Sequence, residues 1–407
     1  MPGEELVELE VGPVAHGGHC VARLHGRVVF VRHALPGERV RARLTEHGEG
    51  RRFWRADAVE VMEASPDRVP SVWPAAGPGG VGGGELAHVA LPAQRVWKAA
   101  VLDEQLRRLA HLDLGVAVLA APGDDERGGL AYRTRIDLVA DTTGRAGMRR
   151  FRSHEVQALD SMPLATEAIA ALGIFDRRWP AGSRIEAVAP AGGDDPLVLL
   201  DGAPFDLRRG RPDLRPNART SVRESAAGHE YRVSAAGFWQ VHRAAPDVLV
   251  NAVLAGVGDV TGATVADLYA GAGLFTVPLA DAVGGGGAVV SVEGDARAVR
   301  DARRTLHDRP HVALHHGDVA EVLAEADDVV HADVVVLDPP RTGAGRRVVD
   351  AVVGLRPERV VYVACDPAAL ARDVGLLGAA GYRPTSVQGF DLFPHTHHLE
   401  AVAVLER

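Results

Sequence analysis

Cysteine is almost absent from this chain of 407 residues, with Cys20 and Cys365 its only two. Two thiols cannot make a disulfide framework, and their scarcity suits a reducing cytoplasm, the expected location. Lysine is scarcer still. Lys98 is one of 45 basic residues and the other 44 are arginine. Beside the heavy use of Ala, Gly and Val, that bias reads as GC-rich coding rather than chemistry. An arginine cluster therefore carries weight only with other support. No apolar run approaches the ~18 residues of a membrane span. Met1-Pro-Gly-Glu-Glu-Leu6 has neither a basic nor an apolar leader region, so no signal peptide is expected. A net charge of −9 argues against wholesale coating of nucleic acid, though a local basic face remains open. With 46% hydrophobic and 24% charged residues, the composition is that of an ordinary soluble chain. The length suits two or three domains, and a monomer without a membrane partner is expected.

Residues 1–62 alternate short apolar runs with Gly/Pro turns. The runs are Leu6–Val11, Cys20–Leu24, Val28–Val31, Arg39–Leu44 and Ala56–Val61, with turns at Gly17-Gly18, Pro36-Gly37 and Gly48. Several period-2 strands at this spacing predict a small closed barrel. The stretch Val28-Val-Phe-Val31 followed by Leu35-Pro-Gly-Glu38 resembles the TRAM domain, an RNA-binding β-barrel of the OB-like kind. Acids and bases balance here at nine each, so charge alone does not choose between RNA binding and a packing barrel.

Residues 63–228 read as a central, mostly β domain. Gly77, Gly79 and Gly82 form a formal G-x-G-x-x-G, but no strand precedes it and no helix follows, so it reads as loop. A helix is predicted from Leu91-Pro92 to about Leu109, with Val96, Ala100, Val101, Gln105 and Leu109 at helical spacing. Two arginine-dense patches follow, one from Arg133 to Arg152 and one from Arg208 to Arg219. A half-exposed sheet could use them to track a phosphate backbone. Solvated strands under codon bias explain them equally well.

From about 229 to 407 the texture becomes alternating β and α. Successive strands deliver Asp267-Leu-Tyr-Ala-Gly271-Ala-Gly273, Glu293, Asp318, Asp338-Pro-Pro-Arg341 and Cys365 at their carboxyl ends, where ligands bind in open α/β sheets. The glycine loop lacks the third glycine of a dinucleotide fingerprint and the Lys-Ser/Thr of a P-loop. Close backbone approach to a smaller nucleoside remains. Glu293 stands 22 residues after Gly271, the place for a carboxylate on both ribose hydroxyls. This arrangement resembles the S-adenosylmethionine-binding, Rossmann-like doubly wound fold of class I methyltransferases.

Cys365 ends the apolar run Arg359–Ala364, and Asp366-Pro367 reads as N-cap and first residue of a helix reaching Leu377. A thiolate at a helix N-terminus is predicted to be favoured below the ~8.5 of a free cysteine. His395-Thr-His-His398 invites a metal reading, but no partners lie at zinc spacing. Ring hydrogen bonds shaping the turn before Glu400 are expected instead, with no metal.

Five motifs occur in order: Gly237-Phe-Trp-Gln-Val241, the Asp267–Phe275 loop, Leu337–Arg341, Ala364–Asp373 and Asp391–Glu400. Together they resemble the RNA (uracil-5-)-methyltransferases, which make 5-methyluridine in transfer and ribosomal RNA. The resemblance is specific over 229–407 and looser over 1–228. It implies a multidomain α/β protein with Cys365 as nucleophile and Glu400 as base. Gln240, Tyr269, Gly271, Gly273, Glu293, Asp318 and Asp338 would bind S-adenosyl-L-methionine. The chemistry agrees: thiolate addition at C6 of uracil makes C5 nucleophilic, and a base must then remove the C5 proton. Unstacking the target would suit an aromatic such as Phe238 or Trp239 beside the pocket, or these are plain core. Cytosine-5 enzymes tend to carry a cysteine in the motif held here by Asp338, so uracil is favoured over cytosine. A non-catalytic RNA-binding factor on the same scaffold would have no use for Cys365 and Glu400 together. Many relatives carry an iron–sulfur cluster on four cysteines; the matching positions, Ala75, Val81, Gly84 and Met162, cannot ligate one. Leu274 replaces a residue that is polar in some relatives.

Overall fold

The computed structural model describes residues 6–325 and 330–407. Residues 1–5, where a leader would begin, lie outside them. Five strands, Leu6–Ala15, His19–Leu24, Arg27–Arg32, Arg39–Glu46 and Trp54–Glu63, close into a barrel. The first strand pairs with the second and the fourth, and the last runs parallel to the third. Alternate residues such as Leu9, Val11, Val29 and Val31 fill its interior, as the period of two requires. Cys20 lies there too, fully buried, its thiol donating to the Ala34 carbonyl at 3.3 Å.

A seven-stranded antiparallel sheet follows, from Arg135–Ala140 to Arg211–Pro212. The C-terminal sheet has eight strands. Its parallel part runs Val312–His316, Ala288–Glu293, Thr264–Leu268, Val334–Leu337, Arg359–Ala364, and the antiparallel pair Glu400–Glu406 and Arg383–Asp391 extends it. In Arg359–Ala364, Val360, Tyr362 and Ala364 enter one core while Val361 and Val363 enter the other. Both faces are covered, which is why the strand reads as an unbroken apolar run. The order reverses between Thr264–Leu268 and Val334–Leu337, opening a crevice at their carboxyl ends.

The eighth strand of that sheet, Val118–Ala120, comes from far upstream and pairs with Gly389–Asp391. The helix before it spans Leu91–Gln105 and widens into a π turn, Leu106–Ala110, ended by left-handed His111. It faces differently from the predicted stripe: Val96 is 70% and Leu109 43% exposed. Val101 and Gln105 of that stripe are buried, but so are Gln94, Trp97, Lys98 and Leu102, which lie outside it. The reason is that the helix is a keystone rather than an edge. Trp97 and Val101 pack into the barrel core, whereas Leu102 and Leu106 pack beneath the C-terminal sheet. A fragment of residues 229–407 alone would therefore lose the cover of Leu370, Leu377 and Tyr382. It is expected to aggregate or bind an apolar dye, measured by sedimentation and dye fluorescence. A monodisperse, cooperatively melting fragment would contradict this packing.

Candidate active site

A cavity of about 790 Å³ opens at the switch point of the C-terminal sheet, and its wall includes Gln240, Tyr269, Gly271, Glu293 and Asp318. Asp338, Cys365 and Glu400 line it too. Eight of the nine residues singled out in the sequence thus share one space. Gly273 does not line it. A Cβ there would meet Ala302, Leu306 and Thr276 at an ordinary 3.6–3.8 Å, so glycine answers the left-handed backbone rather than a lack of space.

The glycine loop is built on three left-handed residues, with φ of 63° at Tyr269, 58° at Gly271 and 91° at Gly273. Glycine takes this conformation freely, but at Tyr269 it costs roughly 1–2 kcal/mol. The surroundings hold it. Glu293 accepts the Gly271 N–H at 2.8 Å and the Asp295 N–H at 2.6 Å. Beneath, Asp267 is buried, accepts from the Thr276 hydroxyl at 2.5 Å, and is pushed up to about 7 by burial first, with Glu293 adding to it. Asp318 is exposed and accepts the Glu321 N–H at 3.1 Å, capping the short helix Val319–Glu325. Leu274 is buried in the cavity wall and offers no polar contact by its side chain. Of the two aromatics, Phe238 stands 76% exposed at the rim, while Trp239 sinks into the core against Tyr231.

At the other end Cys365 follows its strand as predicted, but its thiol is pushed up to about 12. Burial is the largest cause, and Glu400 and Asp338 add to it against the opposing Arg341. The helix N-terminus does not offset this, because another anion already occupies it. Asp366 accepts the Ala369 N–H at 2.8 Å and also pairs with His16 of the barrel at 3.2 Å. Glu400 is buried and its carboxyl lies well above the usual range, through burial and then Asp338. Asp338 is raised to about 7 by burial, Asp267 and Glu293. Three acidic groups thus share one end of the cavity with one cation, Arg341, so their ionisation is coupled.

Two supports escaped the sequence reading. Asp373, fully buried, accepts from Tyr362 Oη at 2.7 Å and from the Ala344 N–H at 2.7 Å. It thereby ties the helix after Cys365 to the loop after Asp338-Pro-Pro-Arg341. The signal was available: Asp373 sits in the apolar stripe of Leu370, Val374 and Leu377. The second is Gln94, whose amide grips His395. Gln94 Oε1 accepts the His395 N–H at 2.7 Å, and its Nε2 lies 3.1 Å from His395 Nδ1. His395 Nε2 is 2.8 Å from the Gly128 carbonyl. A carbonyl only accepts, so the proton sits on Nε2 and Nδ1 accepts from Gln94. Among the described residues no His/Cys/Asp/Glu group is arranged to hold a metal.

Nor do the residues at the cluster positions fit an iron–sulfur centre. Val81 and Met162 are buried with Trp73 in one apolar core, Ala75 packs against it, and a side chain at Gly84 would strike Ala76 and the Trp73 ring at 2.6–2.9 Å. The arginine patches disperse. Arg133 reaches the cavity, Arg135 is bound to Glu224 at 2.9 Å and to two carbonyls, and Arg215 pairs with Asp213 at 2.6 Å.

Such a sheet, loop and barrel define a class I methyltransferase with an N-terminal β-barrel. The family model for tRNA (uracil-5-)-methyltransferase matches residues 325–407, and that for the TRAM domain matches 2–53. An uncharacterized RNA methyltransferase of Streptomyces avermitilis is 46% identical over 99% of this chain and 98% of its own length. One from Bifidobacterium longum is 41% identical over 98% and 96%. The fold is similar to that of the Pyrococcus abyssi tRNA (uracil-54, C5)-methyltransferase, in complex with S-adenosyl-L-homocysteine. That match has a TM-score of 0.70 and 22% identity over 98% of this chain and 100% of the other. The chain belongs to the RNA methyltransferase family of these relatives, and its residues 325–407 match the tRNA (uracil-5-)-methyltransferase model.

Proposed function

We propose that this protein forms 5-methyluridine in transfer or ribosomal RNA, through a transient bond between Cys365 Sγ and C6 of the uracil. The observation that carries this is a thiol and a buried carboxyl, Cys365 and Glu400, facing the same cavity as the Gly271–Glu293 loop. S-adenosyl-L-methionine, when bound, supplies an electrophilic methyl group. Glu293 is suited to its ribose hydroxyls, since the loop amides fix the carboxylate and leave lone pairs for the cavity. Gln240, Tyr269, Gly271, Asp318 and Asp338 complete the binding wall. The barrel, 1–62, and the central region, 63–228, would hold RNA, and 229–407 would carry the chemistry without an iron–sulfur cluster.

Cys365 must lose its proton to react, and Asp338, titrating near neutrality, can accept it. Sγ then adds to C6, and the C5–C6 electron pair moves toward an enolate on O4. C5 takes the methyl group and still bears its hydrogen. The Glu400 carboxylate removes that proton, the C5–C6 double bond reforms and the C6–S bond breaks. One proton leaves to solvent per methyl transferred. Methylation by purified protein of RNA from a strain lacking it, read as 5-methyluridine by nucleoside mass spectrometry, tests the proposal. If no uridine in either RNA class gains a methyl group, the proposal fails.

The charges also set a pH dependence. Asp338, Glu400 and Cys365 all act as anions at some step and are all raised. Their active forms therefore become more populated as pH rises. Methyl transfer at limiting RNA should climb from about pH 6 to about pH 9, by up to ~10-fold per unit where one deprotonation limits it. A flat profile over that range would contradict the raised carboxyls and thiol together.

A further inference from the structure

We propose that the cleft between the barrel and the central sheet is a second nucleotide site, holding an unstacked nucleotide of the RNA substrate other than the target uridine. The proposal rests on the RNA reading given above. The cleft encloses about 620 Å³, inside the range of roughly 300–1,000 Å³ that small ligands fill. Barrel strands supply one wall and the turn Arg150–Arg152 the other.

Three features point to a nucleotide. The first is charge: five arginines line the cleft against two carboxylates, Glu46 and Asp57, in a chain that is acidic overall. Both carboxylates are engaged. Glu46 accepts from Arg55 at 2.7 Å and Arg152 at 2.8 Å, while Asp57 accepts the Gly79 N–H at 3.3 Å and lies 3.9 Å from Arg32. Arg150 also meets Glu155 at 3.2 Å, outside the cleft, and the positive balance comes from Arg55 and Arg152 sharing the single carboxylate of Glu46.

The second is a pair of orphaned polar atoms. Arg32 and His19 line the cleft, are only 5% and 8% exposed, and leave Nε and Nε2 buried without a partner. Each such atom costs roughly 1–3 kcal/mol unless something meets it. The third is a flat surface. The Arg32 guanidinium lies 3.4 Å from the Phe151 ring centroid, and Phe30 stands on the same wall. Stacked rings and guanidinium planes hold unpaired bases, and the remaining arginines suit phosphate.

The cleft is also placed for RNA leaving the active site. His19 follows the turn in which His16 touches Asp366, next to Cys365, and in which Gly18 lies against His397. One hairpin therefore separates the two cavities.

The test uses the full chain and the RNA that wild-type protein methylates. Phe151→Leu keeps apolar volume but removes the ring. Arg152→Asn suits the left-handed backbone there, φ 54°, but removes the charge. Each should raise KM for RNA about 10-fold. Arg152→Asn should also flatten the logarithmic salt dependence of binding by about 0.7, one phosphate contact on a single strand. S-adenosyl-L-methionine affinity and kcat at saturating RNA should not change, which separates a lost subsite from a misfolded chain. Ultraviolet cross-linking of wild type should join a nucleotide to the peptide holding Phe30 or Phe151. Unchanged KM and salt slope in both variants, with no cross-link there, would overturn the proposal and leave the methylation itself standing. If wild type methylates no RNA, the functional reading fails first.

Discussion

Glu400→Gln is expected to leave the protein bonded to its methylated RNA. Gln keeps the shape of the side chain and part of its hydrogen bonding but cannot take a proton from C5. Addition of Cys365 and arrival of the methyl group do not need that base, so both should proceed. Elimination should slow by the roughly 10²–10⁴-fold attributed to a positioned base. The readout is a shifted band on a denaturing gel that carries label from the methyl donor. Cys365→Ala should abolish the band and turnover together, because Cys20 is sealed inside the barrel. Normal turnover by Glu400→Gln, or a band without Cys365, would refute the roles given to both residues.

Lys98→Met is expected to have the largest effect on stability. Lys98 Nζ lies 2.5 Å from Asp391 Oδ1 and 3.0 Å from the Phe393 carbonyl, with both charged side chains at most 1% exposed. Removing one partner leaves a carboxylate without its cation in a dry interior, at about 3–5 kcal/mol. That is a large part of the ~5–15 kcal/mol that holds a domain folded. Replacing the pair together, Lys98→Met with Asp391→Leu, should recover much of the loss, because the desolvation of both charges disappears as well. Denaturant melts of the three variants give the comparison, and a double variant no better than the single one would contradict this account. Activity should respond separately. Asp391 and Phe393 begin the segment that carries His395 and leads to Glu400, so a stable double variant that turns over slowly would show that the pair also positions the base.

Much of the site was legible because each strand of a parallel sheet presents its carboxyl end to one crevice. Asp267, Glu293, Asp338 and Cys365 could be read from where apolar runs stop. Less legible was anything that depends on a partner distant in sequence. The helix Leu91–Gln105 shows an apolar stripe through Val96, yet it buries Gln94 and Lys98, because their partners, His395 and Asp391, lie 301 and 293 residues on. The raised thiol of Cys365 is hidden in the sequence for a similar reason. Asp366 reads as the helix cap and is one, but a cap that satisfies the amide leaves nothing for the sulfur, and the crowding by Asp338 and Glu400 is invisible in one dimension. Dispersal of the arginine patches likewise follows from the sheet. Arg133 reaches the active-site cavity, whereas Arg135, two residues on, is tied to Glu224 and two backbone carbonyls.

The single lysine gives this protein an internal reporter. A protease specific for lysine finds one bond in the whole chain, between Lys98 and Ala99, in the middle of the helix that joins the barrel to the catalytic sheet. The side chain it must recognise is fully buried, so cutting requires that helix to open. The rate of cleavage under native conditions therefore measures how often the keystone leaves its seat, and bound RNA that spans both cavities should slow the cut by holding the two halves together.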